Sequence, residues 1–357
     1  MKPPLFPGKK FKILVIYNVV EKLLYGSEKD KMAEEDTIAH AKLIVNILRK
    51  NGHKVFEMEV YEDFADEILA WKDKVDIVFN LTEGVGNDIL KSPYVPFILE
   101  SLQIPFTGCG WESHLLTLDK AKTKEFLSLY NILTPPYAVF ESMPESLPSH
   151  LAFPLFVKPA LADASYGIDK NAIVHNQEEL ANRIKYILEV YKMPALVEHF
   201  IDGMDVSVGV LGNDYDDLDI LFPYAIIYKN LSHDEYPILT FDSKFDTTSD
   251  IYKNTHIVYP APLSLDTVEE IRGIAAKAYK LCKCSGYARL DLRVDKNMKP
   301  YFLELNANPA IDNETGFRYA AEDSGLTYND FIESIVHYAY EKTLLKNKSY
   351  KNEHKRL

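Results

Sequence analysis

Cysteine is scarce in this chain of 357 residues: Cys109, Cys282 and Cys284 are too few and too unevenly placed for a disulfide framework or a four-ligand zinc site. The C-x-C pair reads as buried sulfur inside a helix. Long apolar runs are missing too. No window approaches a membrane span, and the apolar part of the N-terminal MKPPLFPGKKFKILVIY is too short and too strand-like for a signal peptide. The expectation is a cytoplasmic protein with no membrane partner. Positive charge is in deficit, and a formal net charge of −13 argues against a nucleic-acid partner, whose binders gather Lys and Arg on one face. An anionic small ligand would therefore need a locally basic pocket.

Several catalytic signatures are also absent. No G-x-x-x-x-G-K-[ST] occurs, which disfavours a P-loop enzyme. The G-x-G elements at Gly84 to Gly86 and Gly108 to Gly110 lack the third glycine and the strand-to-helix context of a dinucleotide site. There is no G-x-S-x-G elbow, and the ten histidines show no H-E-x-x-H pattern. Hydride-transfer, serine-hydrolase and zinc readings lose their support. No internal repeat or low-complexity segment is seen.

What is present begins with a hydrophobic content of 47 %, enough for a large core divided among two or three domains. FKILVIY (11 to 17) reads as a strand buried on both faces of a parallel sheet. TIAHAKLIVNILRKNGHKV follows with helical spacing and Gly52 as its stop, then the strands HKVFEMEV and VDIVFNL, with a helix carrying Phe64, Ile68 and Leu69 between them. Alternating β and α segments predict an open α/β sheet, with ligands at the strands' carboxyl ends, where Thr82 to Gly86 lie. A helix from Pro93 to Leu102 and a short strand IPFTGCG close this part. DKAKTKEFLSLYNI predicts a helix capped by Asp119, with Phe126, Leu127 and Tyr130 inward, and a domain boundary falls near 111 to 118.

A smaller unit follows: the strand FPLFVKPA, the loop LADASYGI, a helix from Gln177 to Tyr191, and ALVEHFIDGMDVSVGVLG as two strands around Asp202-Gly203. Lys158 inside its strand is expensive to bury unpaired, so it reaches water or meets an anion. Beyond it PYAIIYK and PILTFDSKFD read as strands, 266 to 284 as a helix capped by Asp266, and Tyr328 to Leu345 as a helix before a basic tail.

The stretch YARLDLRVDKNMKPYFLELNANP concentrates the chemistry. In an alternating strand residues i and i+2 share a face, so Arg289 pairs with Asp291 and Glu304 with Asn306, while Leu290, Leu292, Leu303 and Leu305 point away. A hairpin through VDKNMKP would gather Asp291, Glu304 and Asn306 as hard oxygen ligands suited to Mg²⁺. Two amphipathic strands with a solvated polar face are the plainer alternative. Lys120, Lys158, Lys244 and Arg289 stand in separate segments that could converge on a triphosphate. Singly, each reads as a surface charge.

In their order, FNL-x-E-G, IPFTG, DKAKTK, FVKP, LVEHFIDGMDVSVGVLG and RLDLR…YFLELNANP resemble the D-alanine–D-alanine ligase group of the ATP-grasp superfamily over roughly residues 11 to 345. The resemblance implies an α/β (α+β) ATP-grasp fold. It has a preATP-grasp N-terminal domain with an open parallel sheet (1–115), a small central lid (116–205), a C-terminal catalytic sheet domain (206–345) and a basic tail (346–357). By the same resemblance Lys120 and Lys158 contact ATP phosphates, Ser165 is among the ATP-binding residues, Glu198, His199 and Ile201 form the adenine edge, and Asp205 takes the ribose position. Lys244 and Arg289 are implied as catalytic, and Asp291, Glu304 and Asn306 as ligands of two Mg²⁺ ions, with Mn²⁺ as an alternative. The implied reaction is attack of a carboxylate on the γ-phosphate to give an acylphosphate and ADP, then attack of an amine to form an amide. Small amino-acid or peptide-like substrates and a homodimer are what the family suggests. A non-ligating ATP-grasp kinase or a nucleotide-binding sensor would carry the same ATP residues.

Departures from the family pattern cluster at the substrate end. The Gly-Ser-Ser loop is Asp163-Ala164-Ser165 here, the tyrosine of the E-A-K-Y segment is Phe245, and the ribose glutamate is Asp205. A hydrogen-bonded trio that closes the family's site cannot form in the usual way, since Ala164 and Phe245 offer no side-chain donor. Glu83 replaces the family's histidine and is a candidate for a substrate amine. Ala310, Thr315 and Gly316 occupy the stretch expected to hold the second substrate, and Glu34 and Glu35 are the nearest acidic residues to a missing N-terminal loop.

Overall fold

Three sheets organise the chain, whose computed structural model describes residues 5–20, 24–86, 88–144, 146–231, 236–311 and 316–353. The first is parallel: β1 (Lys12–Asn18), β2 (Lys54–Val60) and β3 (Ile77–Asn80) run in the order β2-β1-β3. Central β1 is buried from its second residue onward, as an unbroken apolar run requires. The connecting helix Lys31–Lys50 stops where Gly52 takes φ +87°, with Gly52 N and His53 N donating back to Arg49 O and Leu48 O. Glycine reaches that left-handed turn without strain. IPFTGCG supplies only one parallel bridge, Phe106 to Val78, instead of the predicted strand; the left-handed Gly108 turns the chain away two residues later.

The second sheet is antiparallel: β4 (Tyr137–Phe140), β5 (Leu155–Pro159), β6 (Ile173–Val174) and β7 (Ala195–His199) in the order β4-β7-β5-β6. Its helix is α-helical over Gln177–Tyr186 and then π-helical over Ile187–Tyr191, a local widening that apolar spacing does not reveal. Asp119 caps the preceding helix Lys120–Ser128 as predicted, accepting from Lys122 N at 3.0 Å. Tyr130, expected inward, is exposed because it lies beyond the end of that helix.

The third sheet holds β8 (Gly203–Gly212), β9 (Asp219–Ile220), β10 (Tyr224–Tyr228), β11 (Thr255–Val258), β12 (Gly286–Asp295) and β13 (Pro300–Asn306). Its order is β11-β10-β8-β12-β13, with β9 on β8. β12 and β13 form the predicted hairpin, closed by the Asp295 carboxylate, which accepts from Asn297 N and Lys299 N at 2.8 and 2.9 Å. The helix Leu265–Leu281 is capped by Ser264 rather than Asp266. Asp266 already sits in the first turn, where a cap cannot act. The helix ends before Cys284, so the C-x-C pair leaves it, though all three cysteines are buried. PILTFDSKFD is not a strand: Thr240 accepts from Ser243 N at 3.1 Å and starts the one-turn helix Phe241–Phe245.

The last helix, Tyr328–Glu353, runs into the segment expected to be a tail. Its Phe331, Ile332, Ile335 and Val336 share a core with Ile13, Val15 and Tyr17 of β1. A polar staple reinforces that core. Glu333 lies 2.9 Å from His53 Nε2 and 3.3 Å from His337 Nε2, while the two Nδ1 atoms accept from Phe11 N and Phe6 N, each at 3.1 Å. With Nδ1 accepting, each ring keeps its proton on Nε2, facing the carboxylate. Burial would raise the Glu333 carboxyl, but the hydrogen bonds from His337 and His53 hold it well below the usual range. Among the described residues no helix is long and apolar enough to cross a membrane.

Candidate active site

A cavity of about 830 Å³ opens between the second and third sheets and reaches back to the helix Lys31–Lys50. Every described residue assigned to the site from sequence lines it, with one exception, Lys120. Thr315 lies outside the described residues, as do the side chains of Glu34 and Glu35.

On the second sheet, Lys158 of β5 meets the anion its burial demanded: its Nζ is 2.9 Å from Glu198 Oε2 on β7. Lys124, not singled out from sequence, reaches Glu198 Oε1 at 2.6 Å and also donates to Thr134 Oγ1 and Phe302 O at 2.9 and 3.1 Å. It stands one helical turn after Lys120 in DKAKTK, on the same face, a signal present in the sequence. Burial pushes the Lys124 ammonium down to about 8, Glu198 opposing and Lys158 adding to the fall. For Glu198 burial acts upward, yet the two ammonium groups outweigh it and hold the carboxyl low.

From His199 at the end of β7 the chain passes through Ile201 into β8. Arg293 Nε donates to Ile201 O at 2.9 Å, and Asp205 is held by Arg293 Nη1 at 2.6 Å and by the Tyr228 hydroxyl at 2.7 Å. Arg293 Nη2 is left buried, with no partner among the described residues. Arg293 continues the alternation of Arg289 and Asp291 by one more step, a signal present in RLDLR.

The third sheet supplies the floor. Its register sets Asp291 opposite Glu304 and Arg289 opposite Asn306. Arg289 grips Asp291 through two parallel bonds, Nε to Oδ1 and Nη2 to Oδ2, both 2.9 Å, and Ser207 Oγ donates to Oδ1 at 2.6 Å. A register shift after Asp291 makes Leu303 a bulge residue, so its side chain joins the cavity instead of pointing away as predicted. Burial would raise Glu304, but Lys120, Lys158, Lys244 and Arg289 bring it down to about 2. Lys244 is lowered by burial and then by Arg289, with Asp291 and Glu304 opposing.

Lys120 stands behind this floor. Its Nζ lies 2.7 Å from Ala162 O, 2.6 Å from Asp163 Oδ1 and 3.3 Å from Glu304 Oε2. Burial would lower it, and Asp163 and Glu304 more than reverse that, leaving it raised.

At the substrate end Glu83 is exposed to the cavity, its backbone N donating to Asn18 Oδ1 at 2.8 Å. Gly316 is pressed against Tyr224, where a Cβ would come within 2.3 Å of the ring. Where the family's hydrogen-bonded trio fails, aromatic contact appears: Phe245 packs on Phe241 at 4.8 Å and Phe241 faces Tyr166 at 6.0 Å, with Phe241 N donating to Ile168 O at 2.9 Å.

Two carboxylates and one amide oxygen suit a hard divalent cation. Among the described residues no three or more His, Cys, Asp or Glu side chains are grouped to hold a metal, so water and phosphate would have to complete its shell, as Mg²⁺ accepts readily.

The family model described as D-ala D-ala ligase C-terminus matches residues 130–337. The uncharacterised protein y4sG of Sinorhizobium fredii is 31 % identical over 266 residues, 74 % of this chain and 75 % of that protein. The D-alanine–D-alanine ligase of Carboxydothermus hydrogenoformans is 30 % identical over 307 residues, covering 82 % of this chain and 90 % of the ligase. Among solved structures, the D-alanine–D-alanine ligase from Bacillus anthracis complexed with ATP superposes with a TM-score of 0.73 at 20 % identity, over 94 % of this chain and 99 % of that one. The VanG D-Ala:D-Ser ligase from Enterococcus faecalis does so with a TM-score of 0.68 at 20 % identity, over 93 % and 100 %. The ATP-grasp fold follows from the structural likeness, and the ADP-forming carbon–nitrogen ligase class from the sequence relatives. With more than half its length matched by the family model, the chain belongs to the D-alanine–D-alanine ligase family.

Proposed function

We propose that the chain uses ATP and Mg²⁺ to activate the carboxylate of a small amino acid or peptide-like acid as an acylphosphate, and then joins it to an amine. The observation that carries this reading is the facing pair of clusters: Arg289, Asp291 and Glu304 on one sheet, Lys158 and Glu198 on the other, around one cavity. Asp291, Glu304 and Asn306 would hold the metal ions, Mg²⁺ or Mn²⁺, whose charge helps neutralise the phosphates when bound. Arg289 offers a fixed donor fork to the oxygen that gains charge as the acyl carbon is attacked. Its paired bonds to Asp291, which keep the guanidinium at the floor of the cavity, support that reading. Lys120, Lys158 and Lys244 would neutralise the transferring phosphate, and Ser165 would contact the nucleotide. His199 and Ile201 would face the adenine beside Glu198, with Asp205 at the ribose.

The substrates are chosen around Glu83, Ala310, Thr315 and Gly316, and D-alanyl-D-alanine is one candidate product. Units at 1–115, 116–205 and 206–345, a cytoplasmic setting and a homodimer complete the proposal. The test is ADP release over a panel of D- and L-amino acids, singly and in pairs, with mass spectrometry of the products. Amine-dependent release with a new amide supports it. ATP turnover that no amine stimulates would turn the reading to a kinase, and no turnover to a sensor.

A further inference from the structure

Lys120 is a phosphate-binding residue in the proposed function, yet it is the one described residue of the predicted site that does not line the cavity. An ammonium has three protons to donate, and here three acceptors take them: Ala162 O, Asp163 and Glu304. None is left for a ligand. Two of the three are poor candidates for release. Ala162 is buried, and Glu304 is attracted to the floor by Lys158, Lys244 and Arg289 as well. Asp163 differs: its side chain is 49 % exposed while Lys120 is 4 % exposed, so its carboxylate can return to water at little cost. It also occupies the place where the family's loop has glycine, ahead of Ala164 and Ser165, both in left-handed backbone at φ 52° and 60°.

We infer that Asp163 is a built-in anion that holds the phosphate-binding ammonium of Lys120 and is displaced by the nucleotide's phosphates. The inference rests on the assignment of Lys120 to phosphate. Exchange of one anion for another keeps a buried ammonium paired throughout, which avoids the high cost of a bare charge. It also sets a threshold. A ligand must outbid a carboxylate already in place, which a triphosphate does with several charges, so Asp163 tunes nucleotide affinity downward.

The test is calorimetric titration of wild type and Asp163→Asn with ATP and with ADP, each in Mg²⁺ and in EDTA, alongside thermal unfolding without nucleotide. The expected result is that D163N binds both nucleotides about tenfold more tightly, from loss of one nearby negative charge, with and without Mg²⁺. Without ligand it should melt lower, since Lys120 has lost a partner. A residue that only supports the loop would weaken both readouts, so the opposite signs are diagnostic. Equal or weaker nucleotide binding by D163N overturns the inference. Weaker binding confined to Mg²⁺ overturns it too, by making Asp163 a metal ligand. If wild type binds ATP and Lys120→Met binds it equally well, the assignment of Lys120 fails, whereas an affected K120M beside an unchanged D163N sinks the displaced-anion reading alone. Asp163→Ser repeats the measurement should D163N not fold.

Discussion

The two sheets that face each other across the cavity carry charge in different ways. On the second sheet Lys158 and Glu198 are buried and paired, and Lys124 of the neighbouring helix Lys120–Ser128 completes the cluster from behind, so much of this charge holds the wall together while Lys158 still faces the cavity. On the third, Arg289, Asp291 and Glu304 are part-exposed at the cavity surface, where a ligand can exchange for a present partner. Loss of a charge should therefore loosen the first wall and disable chemistry at the second.

The largest effect that would sharpen this contrast is Arg289→Ala, expected to lower amide formation by about a thousandfold or more while ATP affinity changes little. Product formation and nucleotide titration check the two halves, and an equal loss in both would erase the distinction. Asp291→Asn should cost on the order of a hundredfold in turnover, partly recovered by raising Mg²⁺, as a metal titration of rate would reveal. Lys124→Met belongs to the other wall. Breaking a buried pair costs about 3 kcal/mol, so its unfolding midpoint should fall and the KM for ATP rise, with kcat at saturating ATP nearly kept; thermal unfolding and steady-state kinetics measure each. Below about pH 8 Lys124 is protonated and pairs with Glu198, and above it the ammonium is lost. ATP affinity should accordingly weaken as pH rises through that value, and the step should be missing from K124M titrated over the same range. The smallest effect is expected for Phe245→Tyr. A hydroxyl there gains no partner from Ala164, so catalytic rates should stay within about twofold, the range of a neutral substitution; a large gain would mean that the hydroxyl finds another partner in the site.

Much of this was legible in the sequence. The hairpin of β12 and β13 followed from alternation and turn residues, and alternation put Arg289 with Asp291 and Glu304 with Asn306. Alternation could not foresee the bulge that brings Leu303 into the cavity, because one extra residue in a strand leaves no compositional mark. Lys158 was legible as a charge in need of a partner, whereas nothing singled out Lys124 among the lysines of its amphipathic helix. Only the third dimension sets it between Glu198 and Phe302 O. Capping decided the segment around Lys244. Its apolar and polar residues fit a strand, and a single Thr240 hydroxyl turned them into a helix.

The staple of His53, Glu333 and His337 bears on the order in which the molecule can be made. Phe6 and His337, joined through it, are separated by 331 positions, and β1 shares its core with Phe331, Ile335 and Val336. Contacts so distant along the chain form late. During synthesis the parallel sheet emerges first, but the face that the helix Lys31–Lys50 only partly covers waits for the final helix to complete its core, so the earliest strand is among the last to be sealed.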